Sequence, residues 1–260
     1  MNASPGEGPV IVVDDVTLGY GDHVVQQHLT FEVRRGEVFV ILGASGSGKS
    51  TLLKNMIGLY EPMRGKVLIG GADVATVRGE ERARLLRRFG VMYQSGALFG
   101  SMTLLENVRL PLDEFTELHS EEKELVALAK LNQVGMRAAA WRTPAEVSGG
   151  MRKRAAIARA MALDPFILFL DEPSSGLDPI TSAGLDALIR FFSMDFGITF
   201  VVVTHELQST YAIADRCILL DARTRTIIAE GKPADLRDHS EDPTVRRFFR
   251  REAEPQGGVP

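Results

Sequence analysis

The chain has 260 residues and a formal net charge of −4 at pH 7, and 45% of its residues are hydrophobic. These values are ordinary for a globular protein, and the weak net charge gives no general attraction to nucleic acid or to anionic lipid. The single cysteine, Cys217, excludes an intrachain disulfide and fits a reducing compartment.

Residues 1–9 contain neither a basic start nor an apolar core. This composition predicts a flexible leader and not a signal peptide. The longest apolar runs, 165–170 and 198–203, are far shorter than the roughly 20 residues that a membrane-spanning helix needs. We therefore expect any connection to a membrane to come through a partner protein.

Three segments near the N-terminus have the composition of β-strands: Val10–Val16, Val24–Val33 and Lys66–Ile69. Glycine, aspartate and charged residues separate them, which predicts a small antiparallel layer. Tyr20 lies in the first connection. Its ring either stacks on an adenine base or fills a half-buried turn, and the residue alone does not decide between the two.

Residues 43–51 fit the phosphate-binding loop (P-loop) pattern G-x-x-x-x-G-K-[ST]. The apolar run 37–42 before it predicts a buried strand, and 51–57 after it predicts a helix, which is the context that the pattern requires. Glycines in such a loop let consecutive N–H groups turn toward an anion at the positive end of the helix. We expect Lys49 to neutralise the β- and γ-phosphates and Ser50 to coordinate Mg²⁺. The predicted phosphate-binding residues are Gly43, Ser45, Gly46, Ser47, Gly48, Lys49, Ser50 and Thr51.

From residue 78 to residue 159 the sequence pattern becomes helical. The helical segments are 80–88, 102–109 and 121–131. We interpret the region of about 95–160 as an inserted helical subdomain. Strand-like runs then return, connected by helical sequence, at 166–170, 198–203 and 216–220. This alternation predicts an α/β fold with a mostly parallel core sheet.

The run 166–170 ends in two acidic residues, Asp171 and Glu172. A strand ending there places both carboxylates at the edge where α/β sheets bind their ligands. We expect Asp171 to reach the Mg²⁺ shell and Glu172 to orient and deprotonate the attacking water. An ordinary strand end would explain the pair in isolation, but a P-loop upstream favours the catalytic interpretation.

Ser148-Gly149-Gly150-Met151, followed by 152–160, resembles the signature motif of the nucleotide-binding subunits of ATP-binding cassette (ABC) transporters. The resemblance covers nearly the whole chain, with residues 10–241 as a single ABC domain. It implies the ABC ATPase type of P-loop NTPase fold, with an antiparallel β subdomain, and hydrolysis of ATP with Mg²⁺ by a homodimer. In that family Ser148, Gly149 and Gly150 would bind the γ-phosphate of the ATP held by the opposing subunit.

Other family positions can be matched one at a time. Gln94 resembles the Q-loop glutamine that contacts Mg²⁺ or the attacking water, and His205 resembles the switch histidine at the γ-phosphate. Asp178 resembles the D-loop aspartate that crosses the dimer interface, and Tyr20 corresponds to the adenine-stacking residue. The resemblance therefore implies three catalytic residues, Glu172, His205 and Gln94. It implies a metal site formed by Ser50, Gln94 and Asp171.

Val147 and Met151 depart from the commonest family pattern, which has Leu and Gln at these positions. Met151, together with 93–99 and 242–248, resembles the ATPases of Mla-type phospholipid transporters (maintenance of outer-membrane lipid asymmetry). This narrower resemblance implies phospholipid movement between bacterial membranes and a peripheral location on the cytoplasmic face of the inner membrane. The implied partners are a transmembrane permease that docks near Ser95–Val108, a lipid-binding component of the mammalian-cell-entry type and a small accessory cytoplasmic subunit, but no nucleic acid.

Alternatives from other classes remain open. An ABC transporter for another small solute would carry the same ATPase motifs. A soluble ABC ATPase acting on ribosomes or DNA is disfavoured, because such proteins resemble two cassettes in one chain or carry long coiled coils. A P-loop kinase would have no use for Ser148, Gly149 and Gly150 at a helix start.

The C-terminal tail, residues 242–260, allows three interpretations. Its segment 244–251 combines Phe248 and Phe249 with four arginines. Such a segment could be a self-packed helix, a contact with the membrane surface, or a clasp on the opposing subunit. The resemblance favours the clasp.

Overall fold

The computed structural model describes residues 8–252. Most of the predicted leader, 1–9, and the end of the predicted tail, 242–260, therefore lie outside the described residues. Within residues 8–252, no helix combines the length and the apolar composition that crossing a membrane requires.

Residues 8–252 form strands and α-helices that alternate through most of the chain. The strands are β1 (Ile11–Tyr20), β2 (His23–Val33), β3 (Val38–Gly43), β4 (Arg64–Ile69), β5 (Ala72–Asp73), β6 (Phe89–Met92), β7 (Ile167–Asp171), β8 (Thr199–Val203), β9 (Arg216–Asp221) and β10 (Thr226–Gly231). The helices are α1 (Lys49–Met56), α2 (Gly79–Leu86), α3 (Leu104–Phe115), α4 (Ser120–Gln133), α5 (Gly149–Ala160), α6 (Pro179–Phe196), α7 (Leu207–Ile213), α8 (Pro233–His239) and α9 (Pro243–Arg250).

The smaller sheet is antiparallel, as the sequence predicts. Its strand order is β2-β1-β4-β5. Ile11 of β1 lies opposite Val33 of β2 on one side and opposite Ile69 of β4 on the other. Burial largely alternates along β1, so one face of this sheet meets the core while the other is more open to water.

The larger sheet has the strand order β10-β9-β3-β8-β7-β6. All neighbouring pairs from β9 to β6 are parallel, which confirms the prediction of a mostly parallel core sheet. Every residue of β3, β7 and β8 is buried, because helices and the second sheet cover both faces of these apolar runs. The edge strand β10, which pairs antiparallel with β9, was not predicted.

Residues 89–92 differ from the prediction of a helical region over 78–159, since they form the strand β6 beside β7. The strand passes very close to the end of α5. A Cβ atom added at Gly90 would lie 1.9 Å from the carbonyl oxygen of Ala160. Glycine is therefore required at this crossing, and a short run of this kind gives only a weak strand pattern in the sequence.

Helices α3, α4 and α5 pack against one another. Their buried side chains, such as Leu105, Leu131 and Ile157, belong to the cluster that covers one face of the parallel sheet. Helix α2 behaves differently, because its one buried side chain, Leu85, joins the cluster between the two sheets. The helices between residues 78 and 159 therefore divide between two cores.

The C-terminal helix α9 packs on its own chain. Val245 and Phe249 are buried, and the Tyr211 hydroxyl of α7 donates a hydrogen bond of 2.7 Å to the carbonyl oxygen of Phe249. The guanidinium of Arg237, on α8, lies over the Tyr211 ring. Within one chain, α9 therefore has the self-packed arrangement, which is one of the three interpretations of this segment. The clasp on a second copy stays a prediction.

Asn107 organises the segment that precedes α3. Its side chain is fully buried. The amide nitrogen donates to the carbonyl oxygens of Phe99, Met102 and Thr103 at 2.9 to 3.3 Å, and the amide oxygen accepts from the N–H of Phe99 at 2.7 Å. One buried side chain thus replaces the missing regular hydrogen bonds of residues 99–103.

We predict that Asn107→Ala lowers the free energy of unfolding by about 3 kcal/mol, because it leaves several buried backbone groups of one segment without partners. Urea denaturation followed by circular dichroism measures this change. Asn132→Ala, at an exposed position on α4, serves as the control and should change stability by less than about 0.5 kcal/mol. Equal stabilities for the two variants would contradict the prediction.

Candidate active site

The P-loop joins the end of β3 to the start of α1. Helix α1 begins after Gly48, whose φ of 87° is left-handed, and the helix has no side-chain cap. A Cβ atom added at Gly48 would lie 2.7 Å from Cγ1 of Val25. The unpaired N–H groups of the first helical turn are therefore available to an anion, and the positive end of the helix favours one.

Lys49 is folded back over the P-loop. Its amine is nearly buried and donates to the carbonyl oxygens of Gly43 at 2.9 Å and Ala44 at 3.0 Å. Burial lowers the pKa of the amine, and the carboxylates of Glu172 and Asp171 oppose that shift. The ammonium group is thus held close to two acids and to the backbone of the P-loop.

A cleft of about 640 Å³ opens over the P-loop. Its volume falls within the range of small-molecule binding sites. Val25 and Phe248, which were not predicted as site residues, contribute apolar surface to the cleft. The lining residues are Val25, Gly43, Ala44, Ser45, Gly46, Gly48, Lys49, Ser50, Thr51, Gln94, Glu172, His205 and Phe248.

The Ser50 hydroxyl and the Asp171 carboxylate meet beside this cleft. Ser50 donates to Oδ1 of Asp171 at 3.2 Å. Burial raises the pKa of Asp171, the hydrogen bond from Ser50 opposes the shift, and the neighbouring Glu172 carboxylate adds to it. A hydroxyl and a carboxylate oxygen at one point fit a hard divalent cation, since Mg²⁺ binds few protein ligands and completes its shell with water and phosphate oxygens.

Both carboxylate oxygens of Glu172 have partners, and its backbone conformation is unusual. Its backbone has a left-handed φ of 48°, which is strained for a residue with a Cβ atom. Oε1 lies 2.8 Å from Nδ1 of His205, and Oε2 accepts from the Thr204 hydroxyl at 3.2 Å. The side chain of Glu172 is 10% exposed, whereas the side chain of His205 is 58% exposed. The predicted base and switch histidine therefore lie in direct contact, and Thr204 is an additional partner.

Two buried polar residues that sequence reasoning missed support the site. Gln26 of β2 donates from Nε2 to the carbonyl oxygens of Ser47 at 2.8 Å and Asp221 at 3.0 Å. Lys153 of α5 donates to the carbonyl oxygens of Gln94 and Glu172. The available signal was a polar side chain at a buried position of a strand or helix, which becomes visible only once the fold is known.

The predicted signature residues lie apart from the P-loop of the same chain. Ser148 caps α5 by accepting a hydrogen bond from the N–H of Met151 at 3.3 Å, and Gly149 and Gly150 form the first turn. Asp178 caps α6 by accepting from the N–H groups of Ile180 and Thr181. None of these residues lines the 640 Å³ cleft.

Tyr20 and Ser47 also lie outside the lining of the cleft. The Tyr20 hydroxyl is 3.1 Å from the Thr51 hydroxyl, its ring packs edge-on against Tyr60, and half of the residue is exposed. The structure thus places Tyr20 beside the P-loop helix with part of its surface free. Ser47 is buried, and its hydroxyl oxygen has no hydrogen-bond partner.

Residues 26–175 match the protein family described as ABC transporter. A probable ribonucleotide transport ATP-binding protein, mkl of Mycobacterium leprae, is 39% identical over 242 residues, which cover 93% of this chain and 69% of mkl. The intermembrane phospholipid transport system ATP-binding protein MlaF of Haemophilus influenzae is 37% identical over 245 residues, 94% of this chain and 92% of MlaF. MlaF of Escherichia coli K12 is 37% identical over 90% of this chain and 86% of its own length.

Solved structures with the same fold include the ATP-binding cassette MJ0796 in a dimeric post-hydrolysis state bound to ADP and Pi. It superposes with a TM-score of 0.77 at 30% identity, over 85% of this chain and 98% of that one. The cbiO1 protein of Clostridium perfringens, part of the ABC transporter complex cbiONQ, has a TM-score of 0.81 at 25% identity, over 94% and 96% of the two chains.

We predict that Asp171→Asn stabilises the nucleotide-free, metal-free chain at pH 7.5 by about 1 kcal/mol. Burial raises the pKa of Asp171 above its unfolded value, so the wild type loses stability as the pH rises through the folded-state pKa. The advantage of the variant should therefore shrink as the pH falls and the wild-type carboxyl becomes neutral.

Urea denaturation in EDTA at several pH values measures this difference. Asp178→Asn is the matched control with the opposite sign, because hydrogen bonds from Thr181 lower the pKa of Asp178. Asp178→Asn should therefore be less stable than the wild type at pH 7.5, and this difference should shrink at acid pH. A less stable Asp171→Asn chain at pH 7.5 would contradict the prediction.

Proposed function

The chain belongs to the ABC transporter family of ATPases, and from this membership we propose that it powers phospholipid movement between bacterial membranes through a separate permease. One observation carries the choice of cargo class. The match with MlaF of Haemophilus influenzae extends over 94% of this chain and 92% of MlaF, so the two proteins correspond over nearly their full lengths. The match with mkl leaves about a third of mkl without a counterpart.

Members of this family bind nucleotide and hydrolyse ATP, and the site suggests a role for each side chain. We assign phosphate binding to Lys49 and the N–H groups of the P-loop, where the cleft has its positive charge. When bound, Mg²⁺ would be held by Ser50, Asp171 and Gln94 and would neutralise charge on the phosphate oxygens. Tyr20 offers a partly free ring for the adenine.

Glu172 is the proposed general base, because its buried carboxylate faces the cleft with one oxygen on Thr204 and one on His205. A base held by two hydrogen bonds is oriented before the substrate arrives. His205 is far more exposed than Glu172, so its other ring nitrogen can contact the γ-phosphate while Nδ1 stays on the carboxylate. Gln94 lines the same cleft and would orient the water.

We propose that a second copy of the chain contributes residues to the ATP site of the first. Ser148, Gly149 and Gly150 form an N-terminal helix turn of the kind that binds phosphate, yet they lie away from the chain's own cleft. A homodimer with its subunits facing each other would bring them over the opposing γ-phosphate and bring Asp178 to the interface. The dimeric form of MJ0796 among the structural neighbours supports this arrangement.

We propose that the dimer docks on a transmembrane permease through Ser95–Val108. Phe99 in this segment is 56% exposed, and Asn107 fixes the loop that presents it. A peripheral location on the cytoplasmic face of the inner membrane follows from such docking. Further proposed partners are a lipid-binding component of the mammalian-cell-entry type and a small accessory cytoplasmic subunit.

A second candidate is the ATPase of a transporter for a small polar solute. It is favoured by the 39% identity to mkl, which is named as a probable ribonucleotide transport protein. The ATPase site serves both candidates equally, since cargo is selected in the permease.

The experiment that separates them is a pull-down of tagged Glu172→Gln protein from detergent-solubilised membranes of the native host, with mass spectrometry of proteins and lipids. We expect a polytopic permease, a mammalian-cell-entry-type protein and bound phospholipid. Recovery of a permease with a solute-binding protein and no lipid would favour a small solute over phospholipid as the cargo. Recovery of ribosomes or of no membrane protein would overturn the transport proposal.

We predict that Glu172→Gln lowers the steady-state rate of phosphate release by a factor of about 100 or more, because the amide cannot accept the proton of the attacking water. ATP affinity should change little, since the P-loop is intact. Phosphate release and binding of a fluorescent ATP analogue measure the two effects.

Glu121→Gln, at an exposed position on α4, is the control and should hydrolyse ATP at the wild-type rate. The Glu172→Gln chain should also accumulate as an ATP-bound dimer in sedimentation, because turnover no longer separates the subunits. Hydrolysis by this variant near the wild-type rate would remove Glu172 as the base.

A further inference from the structure

Lys153 connects the loop that follows β6 with the loop that follows β7. It lies on α5, is 7% exposed, and points toward the ends of β6 and β7. Its amine donates to the carbonyl oxygen of Gln94 and, at 3.1 Å, to the carbonyl oxygen of Glu172. One side chain thus binds the backbone of both residues proposed to handle the attacking water.

The contacts of the Lys153 amine with Gln94 and Glu172 are not salt bridges. Each of the two hydrogen bonds is made to a carbonyl oxygen, while the carboxylates of Glu172, Asp171 and Glu206 act on the amine through their charge. A buried ammonium group needs such compensation to remain stable. The reverse also holds, because the ammonium offsets the repulsion between two adjacent buried carboxylates.

The hydrogen bond from Lys153 also supports the backbone of Glu172. Its left-handed φ of 48° is unfavourable for glutamate, so the surrounding contacts must hold it. Its N–H donates to the carbonyl oxygen of Val203 at 2.8 Å, and its own carbonyl oxygen accepts a long hydrogen bond of 3.3 Å from the N–H of Ser175. Lys153 provides the other bond to that carbonyl oxygen. Without it, the backbone can relax and move the carboxylate away from Thr204 and His205.

A second cation of α5 holds the next residues of the same loop. Arg159 donates to the carbonyl oxygens of Gly96 at 2.8 Å and Ala97 at 2.7 Å. Both residues have a positive φ. Helix α5 therefore fixes residues 94–97 at two points, with Lys153 at the catalytic end and Arg159 at the end that leads to Phe99.

We propose that Lys153 is a positioning residue for ATP hydrolysis, which fixes the backbones of Glu172 and Gln94 relative to each other so that base and water-orienting amide act on one water. The proposal rests on the assignment of Glu172 as the base. Since α5 begins at the cap residue Ser148, the helix that would contact the opposing subunit's phosphate is also attached to the base of its own site. A displacement of α5 would reach both sites of a dimer.

The test compares Lys153→Met with the wild type in the full-length chain. Methionine fills a similar volume but has no donor and no charge. We expect kcat to fall about tenfold or more, while the dissociation constant of a fluorescent ATP analogue stays within about twofold, because Lys153 does not line the cleft. Lys153→Gln retains an N–H donor on a shorter side chain. Its kcat should lie between those of the wild type and Lys153→Met.

Arg154→Met is the matched control. Arg154 is the adjacent residue of α5 and also donates to two carbonyl oxygens, those of Val134 at 3.3 Å and Gly184 at 3.2 Å, neither of which borders the cleft. Both Met variants should lower the thermal midpoint, but Arg154→Met should keep kcat within about twofold. A kcat loss shared equally by both would show a general effect of helix destabilisation and overturn the proposal.

The double variant Lys153→Met with Glu172→Gln distinguishes action through the base from any independent effect. If Lys153 acts by aligning the Glu172 carboxylate with the water that Gln94 orients, its effect requires that carboxylate, so adding Lys153→Met to Glu172→Gln should lower the residual single-turnover rate by less than about threefold. A full additional tenfold loss would overturn the proposal, as would wild-type kcat in Lys153→Met or Lys153→Gln.

Failure of this proposal and failure of the assignment of Glu172 give different results. If Glu172→Gln loses turnover and Lys153→Met does not, Glu172 remains the base and only the role of Lys153 is rejected. If Glu172→Gln hydrolyses ATP normally, the assignment of the base is rejected, whatever the behaviour of Lys153→Met.

Discussion

The parallel pairing of β3, β8 and β7 is the constraint on which the site depends. In a parallel sheet all strands end at the same edge, so Gly43, Asp171 and Val203 come together although they lie far apart in the sequence. Asp171 lies opposite Val203, and the next residues of the two strands, Glu172 and Thr204, then share a hydrogen bond. The buried apolar runs that fix this register therefore determine which polar groups meet in the cleft.

Much of this arrangement could be predicted because it is encoded locally. The P-loop, the acidic pair after β7 and the cap of α5 each consist of adjacent residues whose backbone chemistry is sufficient to suggest a phosphate, a cation or a helix start. The parallel sheet could be predicted from the alternation of apolar runs and helices. The short strands β6 and β10 could not, because their position in the sheet is decided by partners such as β7 and β9, not by their own composition.

Residues that support the site were missed for a different reason. Gln26 lies in β2 yet bonds to Ser47 and Asp221, and Lys153 lies on α5 yet bonds to Gln94 and Glu172. Each is a buried polar side chain that satisfies backbone carbonyl groups of distant loops. Nothing in the neighbouring sequence distinguishes such a residue from an exposed one, because its partners are brought to it only by tertiary packing.

The site of the single chain concentrates buried charge. Two adjacent carboxylates are buried at the end of β7, one of them on a strained backbone, and the nearby buried cations, Lys49 and Lys153, are both directed at backbone carbonyl oxygens. Such a charge distribution is more favourable once a cation and a polyanionic phosphate chain are bound between them. Groups that are already buried and oriented need little reorganisation in each turnover, whereas the same groups fully solvated would have to reorganise every time. The proposed base, Glu172, accordingly lies on a left-handed backbone that its surroundings must hold in place.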